Sequence, residues 1–485
     1  MGTESNLQKK DNKPSFPNII KRLWPSFLIY CSYAFTISTL FINILIVSNI
    51  IWPGEEFHSA EIGVMVGLST YTMAFSGILF GILADKISRI KLMAIAEMIL
   101  GVGWLLNGFV PSGLGLTTFI FFLGFNIMRG FASGGIWPLI NSYANDSTEE
   151  KERSQFFGLL QALFQLTQII GMLISAITFQ LTFWREFFWL CGGAYIIFAL
   201  IILVRGKEPK RAATHEELKD ILANSDIKYE YKLNLYSIKL TILKPTNIIA
   251  FFEGIFTTVM LMVPDFLLTP YIQSPPSRFS PLVSGLFMII FGLPGGLIGS
   301  LAFAKLSDKL ALKNIKYRVY MIVFSIITLF VIYAVLFSIP LPELTPEEGN
   351  NLSVIFQYPI FWIFGVMAFL ARAVVGLWNI NQPPILQSIN LPEAQGTISS
   401  ANQFLEAIGS GTGPILAGFL LVIFSNNYQI TVIITMSLGI IGALMWLLAV
   451  IWINKDVNRI SEILKERGME LNGKINNESP VERLQ

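Results

Sequence analysis

Charged side chains are scarce in this chain of 485 residues, at 14% of the total against 53% hydrophobic residues. Soluble globular proteins carry about 25% charged residues, so the composition argues against a water-soluble fold. The apolar residues form long runs separated by short polar breaks, which is the pattern of helices that cross a bilayer. We therefore predict an all-α membrane protein.

Cysteine and histidine are almost absent, with two of each. Cys31 and Cys191 both lie in apolar runs, which excludes a disulfide scaffold and a cysteine-based zinc site. His58 and His215 lie in polar breaks, so no histidine relay can operate within the membrane. The sequence also lacks a phosphate-binding glycine loop followed by Lys-Ser/Thr, a nucleophile with its base, and metal-ligand spacing. We therefore expect no enzyme, no ATP-driven pump, and no cofactor or metal.

Twelve apolar runs are long enough, at roughly 20 residues and 1.5 Å per residue, to cross about 30 Å of hydrocarbon. The first run lacks a small-residue cleavage site, so we interpret it as a retained span rather than a signal peptide. The predicted limits are 24–52, 61–84, 91–111, 114–140, 154–180, 186–204, 246–270, 281–305, 318–340, 355–380, 396–424 and 429–453.

Lysine and arginine are distributed unevenly among the breaks. Thirty of the 34 lie in one alternating set of segments, made of the two tails and the breaks after even-numbered spans. Only Arg185 and Arg278 lie in the opposite set, while Arg129 and Arg372 lie within spans. Because basic residues are retained on the cytoplasmic side, both termini are predicted to be cytoplasmic. The net charge of +2 gives no reason to expect a nucleic-acid partner.

The longest and most charged break follows the sixth span and separates two halves of six spans each. The predicted organisation is a cytoplasmic tail 1–23, a six-helix bundle 24–204, a cytoplasmic linker 205–244, a second six-helix bundle 245–453 and a cytoplasmic tail 454–485. In the linker, Thr214 and Glu217 form a capping-box pattern that predicts a short surface helix. Apolar residues from Val457 to Leu464 predict a similar helix in the C-terminal tail.

The two halves repeat one another in sequence. Asp85-Lys86 follows the second span and Asp308-Lys309 follows the eighth. An arginine interrupts the fourth span at Arg129 and the tenth at Arg372. The matched features also include Gly77 and Gly81 with Gly295 and Gly299, Gln161 with Gln403, and Gly171 with Gly413. Internal repeats of this kind are typical of secondary transporters.

Residues 81–91 resemble the cytoplasmic loop signature of the major facilitator superfamily, and the segment at Arg129 resembles its fourth-span signature. The resemblance covers residues 24–453. It implies two pseudo-symmetric six-helix bundles around a central cavity, lined mainly by the first, fourth, seventh and tenth spans, which alternates between inward-open and outward-open states. Ser88 stands where that family usually has glycine, which is reminiscent of the spinster-like lipid transporters.

The resemblance also implies a cytoplasmic gate, made of Gly81, Asp85, Lys86, Arg89, Asp308 and Lys309. In this gate Asp85 caps the positive N-terminal end of the eleventh span near Gly396, and Arg89 pairs with acid near Asp146. The alternative is an ordinary solvated turn that carries positive-inside charge.

Arginines within spans are costly unless they face protein or water. Arg129 and Arg372 either capture a substrate anion or have a structural or coupling role, satisfied by backbone carbonyls and by glutamines such as Gln161 or Gln165. We place Arg372 towards the cytoplasmic end of its span. The candidate substrate or coupling residues are Arg129, Gln161, Glu253, Arg372, Asn379, Gln403 and Glu406.

Four acidic residues also lie within spans. We predict that Glu97 pairs with Lys91 and that Asp265 forms a gate or a solvated cap. Glu253 and Glu406 lie deeper, where burial and a nearby arginine can adjust a carboxyl to bind and release a proton. Glu406 is the leading coupling candidate because it lies about 15 Å into its span.

These observations predict a secondary active transporter that moves a small organic solute by alternating access, with a proton as the candidate coupling ion. The alternative within transport is a lipid or lysolipid exporter of spinster-like type. An alternative from another class is a non-transporting membrane receptor or scaffold with the same fold. We expect a monomer in the plasma membrane whose partners are its small-molecule substrate and the lipid bilayer.

The topology can be tested by cysteine labelling in a background without the two native cysteines. A cysteine at His215, in the linker, should not react with a membrane-impermeant maleimide in intact cells, because the linker is predicted to be cytoplasmic. A cysteine at Glu347, in the break after the ninth span, should react. Labelling of residue 215 from outside would contradict the predicted orientation.

Overall fold

The computed structural model describes residues 16–84, 86–148, 150–208 and 243–478, and every element assigned within these ranges is helical. The helices of the first half are Phe16–Ile37, Thr39–Ile42, Ile44–Ile51, Ser59–Ala84, Arg89–Gly108, Leu116–Ser133, Ile136–Ser147, Glu150–Gln180 and Trp184–Arg205. Those that follow are Pro245–Gln273, Pro281–Phe287, a π-helical turn Met288–Gly292, Leu293–Ala311, Lys316–Leu336, Pro346–Gly349, Leu352–Ile355, Pro359–Ser388, Pro392–Ile423, Tyr428–Ala449 and Ile453–Glu478.

Twelve of the described helical segments are long and apolar enough to cross a membrane, which confirms the predicted spans. Their ends differ from the prediction where proline lies inside a helix. The first helix begins at Phe16 rather than residue 24 and contains Pro25, with non-helical angles at Leu23. The tenth span runs to Ser388 rather than residue 380, because the helix continues through Pro383 and Pro384. Neighbouring helices allow membrane helices to tolerate such prolines.

The two halves share three pairings of neighbouring helices. In the first half the first span packs on the fifth, the second on the fourth and the third on the sixth. In the second half the seventh span packs on the eleventh, the eighth on the tenth and the ninth on the twelfth. The internal repeat in the sequence therefore corresponds to a repeat in packing. The predicted fold of two pseudo-symmetric six-helix bundles is confirmed.

We call the end of the molecule that holds residues 86–88 and 205–208 the terminal side, and the other end the opposite side. On the opposite side, polar contacts join the halves. Gln273 Nε2 donates to the carbonyl oxygen of Ile42 at 2.9 Å. Gln180 Nε2 donates to Asn350 Oδ1 at 2.8 Å, also between halves. The C-terminal tail forms the helix Ile453–Glu478, which confirms the helix predicted from its apolar spacing.

The second and eleventh spans form the main contact between the halves, and small residues allow their backbones to approach closely. A Cβ added to Gly63 would lie 2.3 Å from the carbonyl oxygen of Pro414. Ser59 Oγ donates to the Gly418 carbonyl at 2.9 Å. At Gly81, near the terminal side, an added Cβ would meet no described atom within 4 Å. The contact at Gly63, Ser59 and Gly418 thus closes the opposite side of the molecule in this conformation.

The substitution Gly63→Val should destabilise this conformation, because the side chain would overlap the Pro414 carbonyl. Overpacking costs about 1–3 kcal/mol, and about 1.4 kcal/mol changes a ratio of states tenfold. Pulsed electron resonance between spin labels at residues 112 and 343 should show longer distances across the opposite side. Gly193→Val is the control, because an added Cβ there meets no described atom within 4 Å. An unchanged distance distribution in Gly63→Val would refute the proposed role of this contact.

Candidate functional site

A charged cluster at the terminal side joins the second-to-third-span loop to the end of the sixth span. Arg89 is only 1% exposed. Its Nε donates to Glu208 Oε1 at 2.8 Å, and its Nη1 donates to the Ser142 carbonyl at 3.0 Å. Ser88 Oγ and the backbone N–H of Ile90 donate to the other Glu208 oxygen, at 2.6 and 3.1 Å. The first residues of the linker thus hold the loop that carries the family-like signature.

The predicted gate residues are only partly described. Asp85 and the side chain of Asp146 lie outside the described residues, so the Asp85 latch and the pairing of Arg89 with Asp146 stay predictions. Lys86 and Lys309 are exposed, and Gly81 is partly exposed. Sequence reasoning did not find Glu208 as a partner of Arg89, because a linker residue 119 positions away gives no local signal.

The second half has a corresponding cluster around Arg318, which is 9% exposed near the start of the ninth span. Arg318 Nη2 donates to Asp308 Oδ1 at 2.7 Å, and Nη1 donates to Ser307 Oγ at 3.0 Å. Arg318 also approaches Asn381 Oδ1 on the tenth span at 3.4 Å. Asp308 therefore has a partner within its own half in this conformation.

Arg129 lies in the core of the first bundle. Its guanidinium lies 4.1 Å from the centre of the Trp104 ring and donates to Asn126 Oδ1, while its Cγ would be 2.8 Å from a Cβ at Gly103. The expectation that Gln161 or Gln165 contacts this arginine is wrong, because the Arg129 side chain extends towards the third span rather than the fifth. A cation–π contact with Trp104 satisfies the charge instead.

Glu97 is buried and contacts the first span. Ser32 Oγ donates to Glu97 Oε1 at 2.7 Å, and the Tyr195 hydroxyl donates to the Ser32 carbonyl at 2.8 Å. Thr36 shares a hydrogen bond of 2.7 Å with the same hydroxyl. The predicted pairing of Glu97 with Lys91 is wrong, because Lys91 is exposed while Glu97 is turned into the bundle.

A cavity of about 610 Å³ lies between the halves and is lined by the first, fifth, seventh, eighth, ninth and tenth spans. Arg372 Nη2 donates to Asp265 Oδ1 at 2.5 Å on its wall. Asp265 was predicted to be a gate or a solvated cap, and Arg372 was placed near the cytoplasmic end. The placement of Arg372 needs correction, because the tenth span continues to Ser388 and Arg372 therefore lies about midway along it. Asp265 pairs with this arginine, and its role as a gate or cap stays a prediction.

Aromatic and amide side chains form a second surface, on the first, fourth and fifth spans. The rings of Tyr30 and Phe164 have centroids 4.4 Å apart, and Tyr30 and Trp137 are 5.8 Å apart. The Tyr30 hydroxyl donates to Gln161 Oε1 at 3.4 Å. Trp137 is 41% exposed and Gln161 is exposed. In the second half, the predicted residues Asn379 and Gln403 are also exposed.

Glu253 and Glu406 lie where the seventh and eleventh spans pack, near enough for their charges to interact. Glu253 is fully buried, accepts a hydrogen bond from the Thr257 hydroxyl, and has one oxygen without a partner among the described residues. Glu406 Oε1 accepts from Asn402 Nδ2 at 2.6 Å. A Cβ at Gly254 would lie 3.0 Å from Glu406 Cγ, so glycine at this position allows the close approach.

Three side chains surround this acidic pair without completing hydrogen bonds to it. The indole N–H groups of Trp378 and Trp446 are turned towards Glu253, and the Gln382 amide is turned towards Glu406. Trp378 and Gln382 belong to the tenth span, which also carries Arg372. The acidic pair is therefore enclosed by donors from the tenth and twelfth spans that a small movement could bring into hydrogen-bonding distance.

Comparison with known proteins places this arrangement in a family. Residues 27–413 match the family model of the Major Facilitator Superfamily. The chain belongs to the major facilitator superfamily. It is therefore a membrane-embedded secondary transporter of small solutes, which is the predicted class.

Relatives in this superfamily are distant in sequence. A "Probable sugar efflux transporter" of Helicobacter pylori strain 26695 is 22% identical over 451 residues, which cover 90% of this chain and 97% of that protein. The corresponding protein of strain J99 is 23% identical over 443 residues, with the same coverage of both chains.

Solved structures share the fold. A bacterial homologue of the human lysosomal transporter Spinster, in an inward-facing and unoccupied conformation, superposes with a TM-score of 0.67 at 17% identity, covering 91% of this chain and 99% of that one. The nucleoside transporter NupG gives 0.59 at 17% identity, covering 89% and 99%. A D-xylose–proton symporter gives 0.59 at 16% identity, covering 89% and 97%.

The hydrogen bonds around Glu208 should make the stability of this transporter depend on pH. Partial burial by itself raises the pKa of Glu208, but hydrogen bonds from Ser88, Ile90 and Arg89 outweigh burial and hold that pKa below its ordinary value of 4.5. A depressed pKa stabilises the folded state above the unfolded pKa, and this contribution is lost as pH falls through the folded value.

Glu208→Gln should therefore lower the free energy of unfolding at pH 7 by about 1–2 kcal/mol. Hydrogen bonds to a charged group contribute energies of this size, and the partial exposure of Glu208 reduces their contribution. The difference from wild type should shrink as pH falls below the ordinary carboxyl pKa of 4.5 and through the lower pKa of the folded state, because Glu208 then becomes protonated. Thermal unfolding in detergent at several pH values measures this difference, with Glu462→Gln in the exposed tail helix as the matched control. A difference that does not change with pH would contradict the explanation.

Proposed function

We propose that this transporter moves an uncharged polar organic solute, with a sugar as the first candidate, and that a proton at the Glu253–Glu406 pair drives the movement. The observation that carries the proposal is the combination of exposed amides and aromatic rings on the spans with the acidic pair Glu253–Glu406 within the second bundle. We further propose that one chain acts as a monomer, because each chain carries both halves of the path.

Sugar recognition needs both hydrogen-bonding groups and flat apolar surfaces. An amide both donates and accepts hydrogen bonds, and an aromatic ring covers the apolar face of a sugar ring. Gln161 beside Tyr30 and Trp137 supplies this combination in the first half. Asn379 and Gln403 add exposed amides in the second half. The names of the Helicobacter relatives support the same substrate class.

Glu253 and Glu406 support proton coupling because two neighbouring carboxyls in a dry layer do not both carry charge. One proton is therefore expected to be held by the pair rather than by either residue alone. Gln382 and Trp378 connect the pair to the tenth span, which also contributes Arg372 to the cavity. A solute that moves the tenth span would change the donors available to the acidic pair.

The charge distribution supports the orientation that we propose. In the sequence, 30 of the 34 lysines and arginines belong to the two tails and to the breaks after even-numbered spans, which supports a cytoplasmic terminal side. We also propose that the membrane is the plasma membrane. The conformation closed at the opposite side would then be inward-open. Asp85, Lys86, Arg89, Asp308 and Lys309 would form the cytoplasmic gate with Gly81 when the terminal side closes.

A lipid or lysolipid substrate is the second candidate. The cavity between the halves is mainly apolar, and Leu297 and Leu301 on its rim are 44% and 74% exposed. Such a cavity fits an acyl chain, and the fold matches a homologue of the transporter Spinster.

The proposal can be tested with purified protein in proteoliposomes. A thermal-shift screen of sugars, other polar solutes and lysolipids selects the substrate, because a ligand at 100 times its Kd adds about 2.7 kcal/mol of stability. Wild-type protein should accumulate the selected solute when a pH gradient is imposed. Selection of lysolipids alone would favour the second candidate, and absence of accumulation for every stabilising ligand would contradict the proton-driven transport that we propose.

Glu406→Gln should abolish accumulation driven by the pH gradient while sparing ligand binding and solute exchange, because glutamine keeps the shape but cannot release a proton. Glu97→Gln is the matched control, since it changes a buried carboxyl of the other bundle. It should retain at least half of the wild-type accumulation. Unchanged accumulation in Glu406→Gln would mean that Glu406 is structural. Coupling would then depend on Glu253 or on a mechanism that uses no proton.

A further inference from the structure

The Arg372–Asp265 ion pair is only partly enclosed by protein. The Arg372 side chain is 38% exposed and the Asp265 side chain 30% exposed, although both lie in membrane-spanning helices. Arg372 lines the cavity between the halves, and the side chain passes beside Gly292 at the end of the π-helical turn, where an added Cβ would lie 3.8 Å from Arg372 Cγ. Wide turns of this kind frequently occur at functional sites.

Few other charged or titratable groups face this pair. Among the described residues that line the cavity, Arg372 is the one cation and the Tyr333 phenol of the ninth span is the one other titratable group. The first and fifth spans contribute Ser38, Gln165 and Gln168, which are polar but uncharged. The eighth span contributes apolar side chains and Ser300. Asp265 on the seventh span is thus the carboxylate that balances Arg372.

We propose that this cavity is a binding site for an organic monoanion with an apolar body, and that a proton binds Asp265 when the anion replaces it on Arg372. The guanidinium fork binds carboxylates in a bidentate manner. The mainly apolar wall accommodates the remainder of such a ligand. No bond other than the O–H bond on Asp265 is formed, and the proton comes from solvent.

Charge balance is the reason why the anion and the proton bind together. An anion added to the intact pair would leave two negative charges beside one positive charge in a site of low polarity, which is unfavourable. Protonation of Asp265 removes one negative charge and frees Arg372. Binding of each ligand therefore favours binding of the other by the same factor.

The cavity wall also connects this site to the conformational cycle. Gln165, Gln168 and Ser38 come from the first half, whereas Arg372 and Asp265 come from the second. Gln168 Nε2 donates to Ser38 Oγ at 3.0 Å, so these polar groups are held together opposite the arginine. An anion between them contacts both halves. This site goes beyond the proposed function, because it takes a charged ligand and does not involve Glu253 or Glu406.

Equilibrium dialysis tests the proposal with 2-naphthoate as the probe and uncharged 2-naphthamide as its isostere. The full-length protein is placed in lipid nanodiscs, with empty nanodiscs as the blank for partitioning into lipid. Wild-type protein should bind 2-naphthoate more tightly as the pH is lowered from 8 to 6, by up to about tenfold per pH unit for one proton taken up. Binding of 2-naphthamide should be weaker and independent of pH.

Two variants separate the roles of the two charges. Asp265→Asn keeps Arg372 and removes the competing carboxylate, so it should bind 2-naphthoate tightly at pH 8 and lose the pH dependence. Arg372→Gln should lose at least tenfold in preference for 2-naphthoate over 2-naphthamide. The double variant Asp265→Asn/Arg372→Gln removes both charges without leaving one unpaired, and it should bind the two probes equally if the single arginine variant does not fold.

Several results would overturn the proposal. Equal binding of both probes to wild-type protein would show that the arginine does not select an anion. Binding of 2-naphthoate that is unchanged between pH 6 and pH 8 would remove the proton from the site. Wild-type pH dependence in Asp265→Asn would assign the proton to another group. Because these readouts measure naphthoate binding, they are independent of sugar accumulation driven by Glu406.

Discussion

The hydrocarbon of the bilayer cannot solvate charge, and the arrangement of polar groups in this protein follows from that constraint. A charged side chain within a span costs several kcal/mol unless protein or water compensates it. The described intramembrane charges each have a protein contact of a different kind. Arg129 lies on the Trp104 ring, Arg372 pairs with Asp265, and Glu97 accepts from Ser32. These contacts fix which faces of the spans turn inwards, and so they determine how the helices pack.

The contact between the halves obeys a different requirement, because it must form and break during transport. The second and eleventh spans approach through Gly63 and Gly418, where backbone atoms rather than large side chains meet. Few side chains need to be reordered when such a surface separates. Helix association in lipid relies on close packing more than on the hydrophobic effect, so a glycine-lined surface can be closed in one state and open in the other at moderate cost.

Sequence reasoning succeeded where the signal is local. Twelve spans, an all-α membrane fold and the internal repeat follow from the length of apolar runs and from short motifs, and the structure confirms them. The ends of spans were less accurate at Pro25 and Pro383, because a proline that ends a helix in water can be tolerated in a membrane helix. Sequence patterns identified Glu253 and Glu406 as candidate coupling residues. They did not predict which side chains surround Glu253.

Partners of charged residues were the main failure, and the reason is geometric. Arg372 and Asp265 are 107 positions apart, and Arg89 and Glu208 are 119 apart. Helical spacing identifies which residues share a face within one helix, but it does not determine which helix lies against that face. The expected pairing of Glu97 with Lys91 failed for a related reason. It assumed that residues near in sequence would pair, whereas burial against the first span offered Glu97 the Ser32 hydroxyl.

The two halves differ in the kind of polar group that their spans contain. The first half presents Gln161 with aromatic rings, whereas the second half holds Asp265, Arg372 and the Glu253–Glu406 pair. If both gates close around a substrate, the enclosed groups must be close to electrical neutrality, because water no longer compensates them. In the coupling that we propose, with an uncharged solute bound, the Arg372–Asp265 pair stays neutral and the acidic pair decides the charge of the closed state. A pair with one proton carries one negative charge, and a second proton removes it. Transport with a proton would therefore be favoured by the cost of enclosing that charge, without any direct contact between the proton and the solute.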